Sequence, residues 1–409
     1  MTHSSSSYSP DRSTGRNARA QQSISSRLIE RLLPSLQSGR LTLVLPDGAT
    51  VERRGERPGP EAILELKRWR GLGRVLIEGE DGFVNGYIDG DWTTRDLVTL
   101  LELGVRNEMA LTPQTKSSLF GLVHNRLIHA LHANTRRGSC RNIAAHYDLG
   151  NDFFRPWLDA GMNYSSALYR DDEPLEQAQE QKLDRIGQLL ALGGGEKILE
   201  IGCGWGALAE WLIRQHGAQV TGITLSIEQL GYAKSRLAGE VASGCADLRL
   251  QDYRDLTGPF DRIVSIEMIE AVGERYWPLY FAKLRDCLVS GGIAVIQAIT
   301  IDQNRFGEYR KRPDFIQRRI FPGGMLPTRA IIEREAARAG LRVSHHESFG
   351  DSYARTLREW RLRFLQAWPK LEALGFNGRF GKMWEYYLAY CEVGFRVGAV
   401  DVGLYKLAG

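Results

Sequence analysis

The segment ILEIGCGWGALAEWL, residues 198–212, constrains the fold of this chain more than any other. It has the pattern of a buried strand ending at Glu200, a turn that contains Gly202, Gly204 and Gly206, and the start of a helix. Closely spaced glycines let the backbone turn sharply and approach a bound nucleotide without clashes from Cβ atoms. The segment therefore predicts the first strand of a doubly wound sheet, with a ligand site at its carboxyl end.

The sequence around this segment alternates between strand and helix patterns. Helical spacing of apolar residues appears in KLDRIGQLLAL, LAEWLIRQ, IEQLGYAKSRLAG and LYFAKLRDCL, and apolar strand-like runs in KILEIG, AQVTGITL, DRIVSI and IAVIQAI. Strands that alternate with helices in this way predict an α/β domain with a mostly parallel sheet covered on both faces. The segment after Thr356, rich in aromatic residues, is predicted to be mostly helical.

The spacing of the glycines indicates which cofactor the turn binds. An acid followed by GxGxG is associated with S-adenosylmethionine rather than with a dinucleotide, whose pyrophosphate needs a longer cradle. We therefore predict a Rossmann-like class I methyltransferase domain. At the end of the second strand, Thr224, Leu225 and Gln229 stand where an acid usually contacts ribose. After the third strand, Asp252 and Tyr253 are expected beside the adenine ring, with the tyrosine on its face.

The first part of the chain has a different character. Residues 1–27, rich in Ser and Arg, predict a disordered tail, with a transit peptide as the alternative. Residues 28–137 predict a small α+β domain that begins with a helix near Arg27–Leu36. A hairpin follows in LTLVLPDGATVERRG, then strands in GRVLIEGE and FVNGYIDG, a helix introduced by Asp96, and a further helix in TKSSLFGLVHNRLIHALHA.

The charge of the chain bears on its partners. The 53 basic and 49 acidic residues give a net charge of only +4, which argues against a nucleic-acid partner. The positive charge is concentrated in Arg106–Arg141 and Arg305–Arg319, where Phe and Ile residues interleave with it. This pattern fits docking on an anionic membrane surface, although a solvated face has the same composition. No run of about 18 uncharged apolar residues is present, so an integral membrane protein is excluded.

The five cysteines give no sign of a metal site or of disulfide bonds. They are odd in number, widely spaced and without a CxxC pair, so we predict neither a zinc site nor a disulfide framework. A reducing cytoplasm is the expected compartment.

Several motifs together resemble one family over residues 140–405. NIAAHYDLGNDFF, MNYSSALY, GITLSIEQ, LQDYRDL, DRIVSIEMIEAVG and IFPGGMLP are similar to segments of cyclopropane-fatty-acyl-phospholipid synthases and cyclopropane mycolic acid synthases. The resemblance implies transfer of a methyl group from S-adenosylmethionine to a cis double bond of an acyl chain in a membrane phospholipid. It assigns residues 138–409 to the methyltransferase domain and 28–137 to a lipid-docking domain. It implies a peripheral protein at the inner face of the membrane and leaves a homodimer open.

The resemblance also implies a set of catalytic residues. In this family a bound bicarbonate is thought to remove the proton that closes the cyclopropane ring, held by Cys, Glu, His and Tyr side chains and a backbone amide. Glu270, Tyr353 and the backbone of Ile299 match three of these positions. Ser166 stands where the family has Cys, and Gln297 where it has His. Both can hydrogen-bond an anion, but neither supplies a cationic imidazolium.

The two replacements leave open whether bicarbonate binds and which product forms. Without a well-placed base, the carbocation left by methyl transfer can undergo a hydride shift and a different proton loss, giving a methyl-branched or methylene fatty acid instead of a ring. Tyr164 and Ser165 match positions that touch the methionine end of the cofactor. Two other functions remain as alternatives: a methyltransferase for a small soluble natural product, which the basic runs argue against, and an inactive lipid-binding homologue, which the intact glycines and Glu270 argue against.

Overall fold

The computed structural model describes residues 35–108, 138 and 149–409. The predicted tail 1–27, the predicted helix in residues 115–133 and most of the basic run Arg106–Arg141 lie outside the described residues. So does most of the helix predicted near Arg27–Leu36, of which only residues 35 and 36 are described, outside any helix.

The described elements of the N-terminal part are β1 (Ser38–Val44), β2 (Thr50–Arg54), β3 (Arg57–Leu66), α1 (Trp69–Glu78), α2 (Glu80–Ile88), β4 (Trp92–Thr93) and α3 (Leu97–Arg106). The strands form a sheet of order β2-β1-β3-β4. β1 and β2 form the predicted hairpin, antiparallel with Leu43 opposite Val51, around the Pro-Asp-Gly turn. Asp96 caps the predicted helix α3 by accepting from the Thr99 N–H.

The two strands predicted in GRVLIEGE and FVNGYIDG are wrong, because these residues form helices α1 and α2. Gly79, with φ +60, separates the two helices, whereas the prediction placed the break between the two strands at Asp81-Gly82. The helices approach so closely that a Cβ on Gly82 would clash with the Arg74 carbonyl oxygen. Short apolar runs do not distinguish a strand from one turn of a packed helix. Here the packing of the two segments against each other stabilises helices.

The C-terminal part confirms the α/β prediction. The strands of its seven-stranded sheet are β5 (Lys197–Ile201), β6 (Gln219–Thr224), β7 (Ala246–Leu250), β8 (Phe260–Ile266), β9 (Leu288–Ile301), β10 (Arg342–Ser348) and β11 (Val400–Ala408). They lie in the order β10-β11-β9-β8-β5-β6-β7, with β9, β8, β5, β6 and β7 parallel. The helices up to β9 are α4 (Asn151–Phe154), α5 (Leu175–Leu190), α6 (Ala207–His216), α7 (Ile227–Arg236), α8 (Ala238–Ala242), α9 (Ile269–Val272) and α10 (Trp277–Cys287).

The chain after β9 closes the domain. β10 and β11, which the sequence did not predict, extend the sheet as antiparallel strands beside β9. The predicted helical segment after Thr356 is confirmed as two long helices. The helices of this part are α11 (Gln303–Tyr309), α12 (Phe315–Arg319), α13 (Arg329–Arg338), α14 (Gly350–Ala373) and α15 (Gly378–Arg396).

Helix α15 joins the two parts of the molecule. The Tyr87 hydroxyl of α2 donates a hydrogen bond of 2.8 Å to Glu385, and Arg379 forms a 2.7 Å ion pair with Asp89. One continuous cluster of buried apolar side chains includes residues of β1, β3 and α3 as well as of α14 and α15. The N-terminal sheet therefore shares its core with the domain that carries the predicted cofactor turn.

Candidate active site

The glycine turn lies where the sequence predicted it, between β5 and α6. Gly202, Gly204 and Gly206 all have positive φ, between +52 and +85. A Cβ on Gly206 would lie 3.0 Å from Leu237, so this glycine lets the turn pack against the chain that follows α7. A Cβ on Gly204 would meet no atom within 4 Å and would point into open space. The turn therefore leaves room for a ligand beside Gly204.

Two buried ionisable groups lie beside this turn. Glu200 is 3% exposed, and its Oε2 has no hydrogen-bond partner among the described residues. Burial raises the pKa of Glu200 to about 8, partly offset by Lys182. Lys182, 1% exposed, donates a 2.8 Å hydrogen bond to Ser165 Oγ, and burial lowers its pKa to about 8. The unpartnered oxygen of Glu200 suits the ammonium group of S-adenosylmethionine, so the residues present fit this cofactor.

The predicted residues at the end of β6 surround the same space. Thr224, Leu225 and Gln229 line the cavity described below, and the Thr224 hydroxyl donates to Gln229 Oε1 at 3.0 Å. Ser226 caps α7 by accepting from the Gln229 N–H at 3.2 Å. The cap and the side-chain hydrogen bond together fix the amide group of Gln229 at the edge of the cavity.

Of the pair predicted beside the adenine ring, the structure brings only Tyr253 to the cavity. Its ring packs edge-to-face on Tyr280, with centroids 5.8 Å apart. Asp252 instead caps the short turn that follows and accepts from Arg254, through Nε at 2.8 Å and Nη2 at 2.5 Å. Gln251 lines the cavity in its place. A role for Asp252 in binding adenine stays a prediction.

The predicted catalytic residues converge at the carboxyl ends of β8 and β9. Glu270, Tyr353 and Ile299 line the cavity, whereas Ser166 and Gln297 lie buried behind its wall. Glu270 Oε1 accepts from the Ile299 N–H at 2.6 Å, and Glu270 Oε2 has no partner among the described residues. The protein interior raises the pKa of Glu270 to about 8, and the nearby charge of Glu267 adds to this shift.

The sequence prediction missed Glu267, which lies at the centre of this group. Its Oε1 accepts from the Ser166 N–H at 2.8 Å and from Gln297 Nε2 at 2.7 Å, and its Oε2 accepts from the Tyr353 hydroxyl at 2.6 Å. The Ser166 hydroxyl donates elsewhere, to the Ala167 carbonyl. The available signal was a second acid three residues before Glu270, in SIEMIE.

A single cavity of about 1880 Å³ connects these groups. One end contains the glycine turn, with Tyr164 and Ser165 in the wall, and the Tyr164 hydroxyl lies 3.0 Å from that of Tyr387. The other end runs between apolar side chains of the N-terminal sheet and helices. The lining there includes Leu41, Leu43, Leu64, Leu66, Leu72, Val75, Phe83, Leu100 and Leu103. The volume and the apolar lining suit a long apolar molecule that also reaches the glycine turn.

The basic run Arg305–Arg319 lies beside this cavity, in α11, α12 and the turn between them. Much of its charge is balanced by acids, because four of its cations form ion pairs. The pairs are Arg305 with Glu108, Arg310 with Glu274, Lys311 with Glu308, and Arg318 with Asp81. This pairing reduces the attraction that the run could exert on anionic lipid.

Within residues 35–108 and 149–409, no helix combines the length and apolar character needed to cross a membrane. In the same part of the chain, no three His, Cys, Asp or Glu side chains are grouped so that they could hold a metal ion.

Comparisons with known proteins agree with this geometry. Residues 134–404 match the family described as mycolic acid cyclopropane synthetase. The chain is 38% identical over 397 residues to tuberculostearic acid methyltransferase UfaA1 of Mycobacterium tuberculosis, which covers 94% of this chain and 91% of that protein. It is 35% identical over 338 residues to the cyclopropane-fatty-acyl-phospholipid synthase of Escherichia coli K12, covering 82% and 84% of the two chains.

Solved structures show the same fold. The cyclopropane synthase MmaA2 of Mycobacterium tuberculosis superposes with a TM-score of 0.62 at 31% identity, covering 66% of this chain and 98% of that one. Mycolic acid cyclopropane synthase CmaA1, in complex with SAH and CTAB, gives the same TM-score at 30% identity and covers 66% of this chain and 98% of that one. The sheet is that of a class I methyltransferase. The chain therefore belongs to the mycolic acid cyclopropane synthetase family, as an S-adenosylmethionine-dependent methyltransferase of the cyclopropane-fatty-acyl-phospholipid synthase type.

Proposed function

We propose that this enzyme methylates the cis double bond of unsaturated acyl chains in membrane phospholipids. The cavity of about 1880 Å³, continuous from the glycine turn to the apolar lining of the N-terminal part, carries this proposal. An acyl chain needs a long apolar channel, and its double bond must meet the cofactor inside it. A small soluble substrate would use only the part of the cavity near Glu270 and Tyr164.

The chain's own residues would place the cofactor at one end of the channel. Glu200 and the turn at Gly204 would hold its amino acid and nucleoside parts, with Gln229 and Tyr253 at the edges. The bound cofactor supplies a methyl group made electrophilic by the adjacent positive sulfur. An alkene is a weak nucleophile, so enclosure and exclusion of water bring it into line with that methyl group.

Aromatic side chains would stabilise the positive charge that develops on the acyl chain. Tyr386, Tyr387, Tyr390 and Phe395 of α15 line the cavity. The Tyr353 and Phe395 rings lie with their centroids 4.4 Å apart. The negative faces of aromatic rings attract a cation more strongly where water is excluded.

The product follows from the balance of atoms. Methyl transfer leaves a positive charge on the neighbouring carbon, and loss of one proton neutralises it. The result is a cyclopropane ring, or a methylene group when a hydride shift comes first. A saturated methyl branch also requires a hydride from a separate donor, so we assign the ring or the methylene product to this chain.

Access to the bilayer would depend on α1. Leu76 and Ile77 are 64% and 86% exposed, and Trp69 at the start of the helix is 45% exposed. Leu72, Val75 and Leu76 of the same helix line the cavity, so the exposed Leu76 lies at its mouth and Ile77 follows it in the chain. Apolar side chains at such a place suit shallow insertion among lipid headgroups. The enzyme would then act as a peripheral protein at the inner, anionic face of the membrane.

Expression in a bacterial host that lacks its own cyclopropane synthase would test the proposal. We expect phospholipid acyl chains that are one CH2 heavier, and ozonolysis distinguishes the inert ring from a methylene group. Purified enzyme with S-adenosylmethionine and dioleoylphosphatidylglycerol vesicles should release S-adenosylhomocysteine. Unchanged lipids in the host together with no release on vesicles would refute the proposal.

A further inference from the structure

Glu267 receives three hydrogen bonds from three distant parts of the chain. The donors are the backbone N–H of Ser166, the side-chain amide of Gln297 and the hydroxyl of Tyr353, at 2.8, 2.7 and 2.6 Å. Gln297 is 1% exposed and Tyr353 is 7% exposed, so water has little access to these donors. Three enclosed donors on one carboxylate favour its ionised form.

The backbone at Glu267 is in a conformation that side chains rarely adopt. Its φ is +48, directly after β8, and its N–H donates to the Gln297 carbonyl at 2.8 Å. A non-glycine residue in this region is disfavoured and persists where the surrounding structure holds it. The strained residue is also the one that carries the carboxylate into the cavity wall. Strain of this kind is concentrated at functional sites.

The residues present do not fit a bound bicarbonate. Ser166, Gln297 and Tyr353, which match positions that would hold that anion, already donate to Glu267, and the Ile299 N–H donates to Glu270. A bicarbonate here would lie against the Glu267 carboxylate with these donors already engaged. Two anions in one enclosed site repel each other.

We propose that the carboxylate of Glu267 is the base that this enzyme carries in place of bicarbonate, an inference that rests on the proposed function. After methyl transfer, a C–H bond of the new methyl group breaks. Its electron pair forms the third C–C bond of the ring, and the proton passes to a Glu267 oxygen. The cation and the carboxylate both become neutral, so the step needs no oxidant or reductant. After a hydride shift, the same proton transfer gives the methylene product.

The neighbouring Glu270 is less suited than Glu267 to act as the base. The pKa of Glu270 is raised to about 8, first by enclosure in the protein and then by the charge of Glu267. The pKa of Glu267 is also raised by enclosure, but the hydrogen bonds from Tyr353, Ser166 and Gln297 oppose that shift. Of two neighbouring enclosed carboxyl groups, the one that accepts more hydrogen bonds is the one that stays ionised.

Full-length enzyme assayed in carbon-dioxide-free buffer would test the inference. With S-adenosylmethionine and dioleoylphosphatidylglycerol vesicles, we expect wild-type turnover to be the same with and without added bicarbonate. Glu267→Gly relieves the strain and opens the space beside the three donors. It should lose activity on the order of 10²–10⁴-fold, the usual contribution of a general base, and recover part of it with bicarbonate or formate. Glu267→Gln fills the same space with a neutral group and should lose activity without recovery.

A binding measurement keeps this inference separate from the proposed function. Bicarbonate or formate should raise the melting temperature of Glu267→Gly but not that of the wild type or Glu267→Gln, whichever lipid the enzyme uses. S-adenosylmethionine binding by each variant shows that it has folded. Bicarbonate stimulation of the wild type, wild-type activity in Glu267→Gln, or no anion binding by folded Glu267→Gly would each overturn the inference. A wild type that binds S-adenosylmethionine but never modifies phospholipid would refute the proposed function alone.

Discussion

The backbone N–H of Ile299 donates a 2.6 Å hydrogen bond to Glu270 Oε1, while Glu270 Oε2 has no partner among the described residues. A single donor does not offset enclosure in the protein, and the pKa of Glu270 is raised to about 8. Near pH 7 this side chain is therefore largely protonated and neutral. Glu270→Gln replaces it with a neutral group of the same shape that can keep the hydrogen bond from Ile299.

We expect Glu270→Gln to change how stability depends on pH. In the wild type the unfolded chain releases this proton above about pH 4.5, whereas the native state holds it until about pH 8. The free energy of unfolding therefore falls as pH rises through this window. The variant lacks this loss, so its stability relative to the wild type should increase between pH 5 and pH 8.5, on the order of 2–4 kcal/mol. Urea unfolding at several pH values measures the difference, and a constant difference would contradict the assignment.

The glycine turn gives a second prediction. Gly204→Ala places a Cβ at φ +52 in the space assigned to the cofactor, so S-adenosylmethionine should bind more weakly. Gly217, which ends α6, is a matched control because it also has positive φ, +61, and open space around its Cβ, but does not line the cavity. Both variants should lose roughly 1–2 kcal/mol of stability. Calorimetry should find weaker cofactor binding only in Gly204→Ala, and equal affinities would exclude the turn as the cofactor site.

The local parts of the fold could be predicted from the sequence, and the parts that depend on distant contacts could not. The glycine turn is encoded within fifteen residues, and the strands around it are continuous apolar runs. β11 was missed because its partner β9 lies about a hundred residues earlier in the chain. α1 and α2 were mistaken for strands because their apolar runs are short.

The same distinction applies to the site. The positions of Glu270, Tyr353 and Ile299 were predicted together, and the structure brings them to one cavity. The importance of Glu267 could not be predicted, because it depends on donors from Ser166 and Tyr353, 101 and 86 residues away in the chain. A sequence pattern contains only the residue types along the chain. The role of the Glu267 carboxylate depends on the hydrogen-bond donors that the fold places beside it.

Tyr353→Phe should shift the pH dependence of catalysis. The variant removes the 2.6 Å hydrogen bond to Glu267, the largest of the effects that lower the pKa of that carboxyl. The pKa of Glu267 should rise, so the acidic limb of the rate profile should move to higher pH. Stability should fall by about 1–3 kcal/mol because an enclosed acceptor loses its donor.

Tyr169→Phe is the control for this variant. The Tyr169 hydroxyl is buried and has no hydrogen-bond partner among the described residues, and Tyr169 does not line the cavity. Removal of this hydroxyl should leave both the pH profile of the rate and the stability nearly unchanged. If Tyr353→Phe lowers activity equally at every pH, its hydroxyl does not act through the ionisation of Glu267.

The exposed side chains of α1 give the last prediction. Replacing Leu76 and Ile77 together by Ser removes two apolar groups from the mouth of the cavity, and each is worth roughly 1–2 kcal/mol when inserted among lipids. Sedimentation with dioleoylphosphatidylglycerol vesicles should show at least about tenfold weaker binding, since each 1.4 kcal/mol is a factor of ten. S-adenosylmethionine affinity should not change, because α1 carries none of the residues assigned to the cofactor. Ile227→Ser is the matched control, since Ile227 is 71% exposed on α7 and does not line the cavity. An equal loss of vesicle binding in the control would attribute the effect to general surface hydrophobicity and exclude α1 as the docking element.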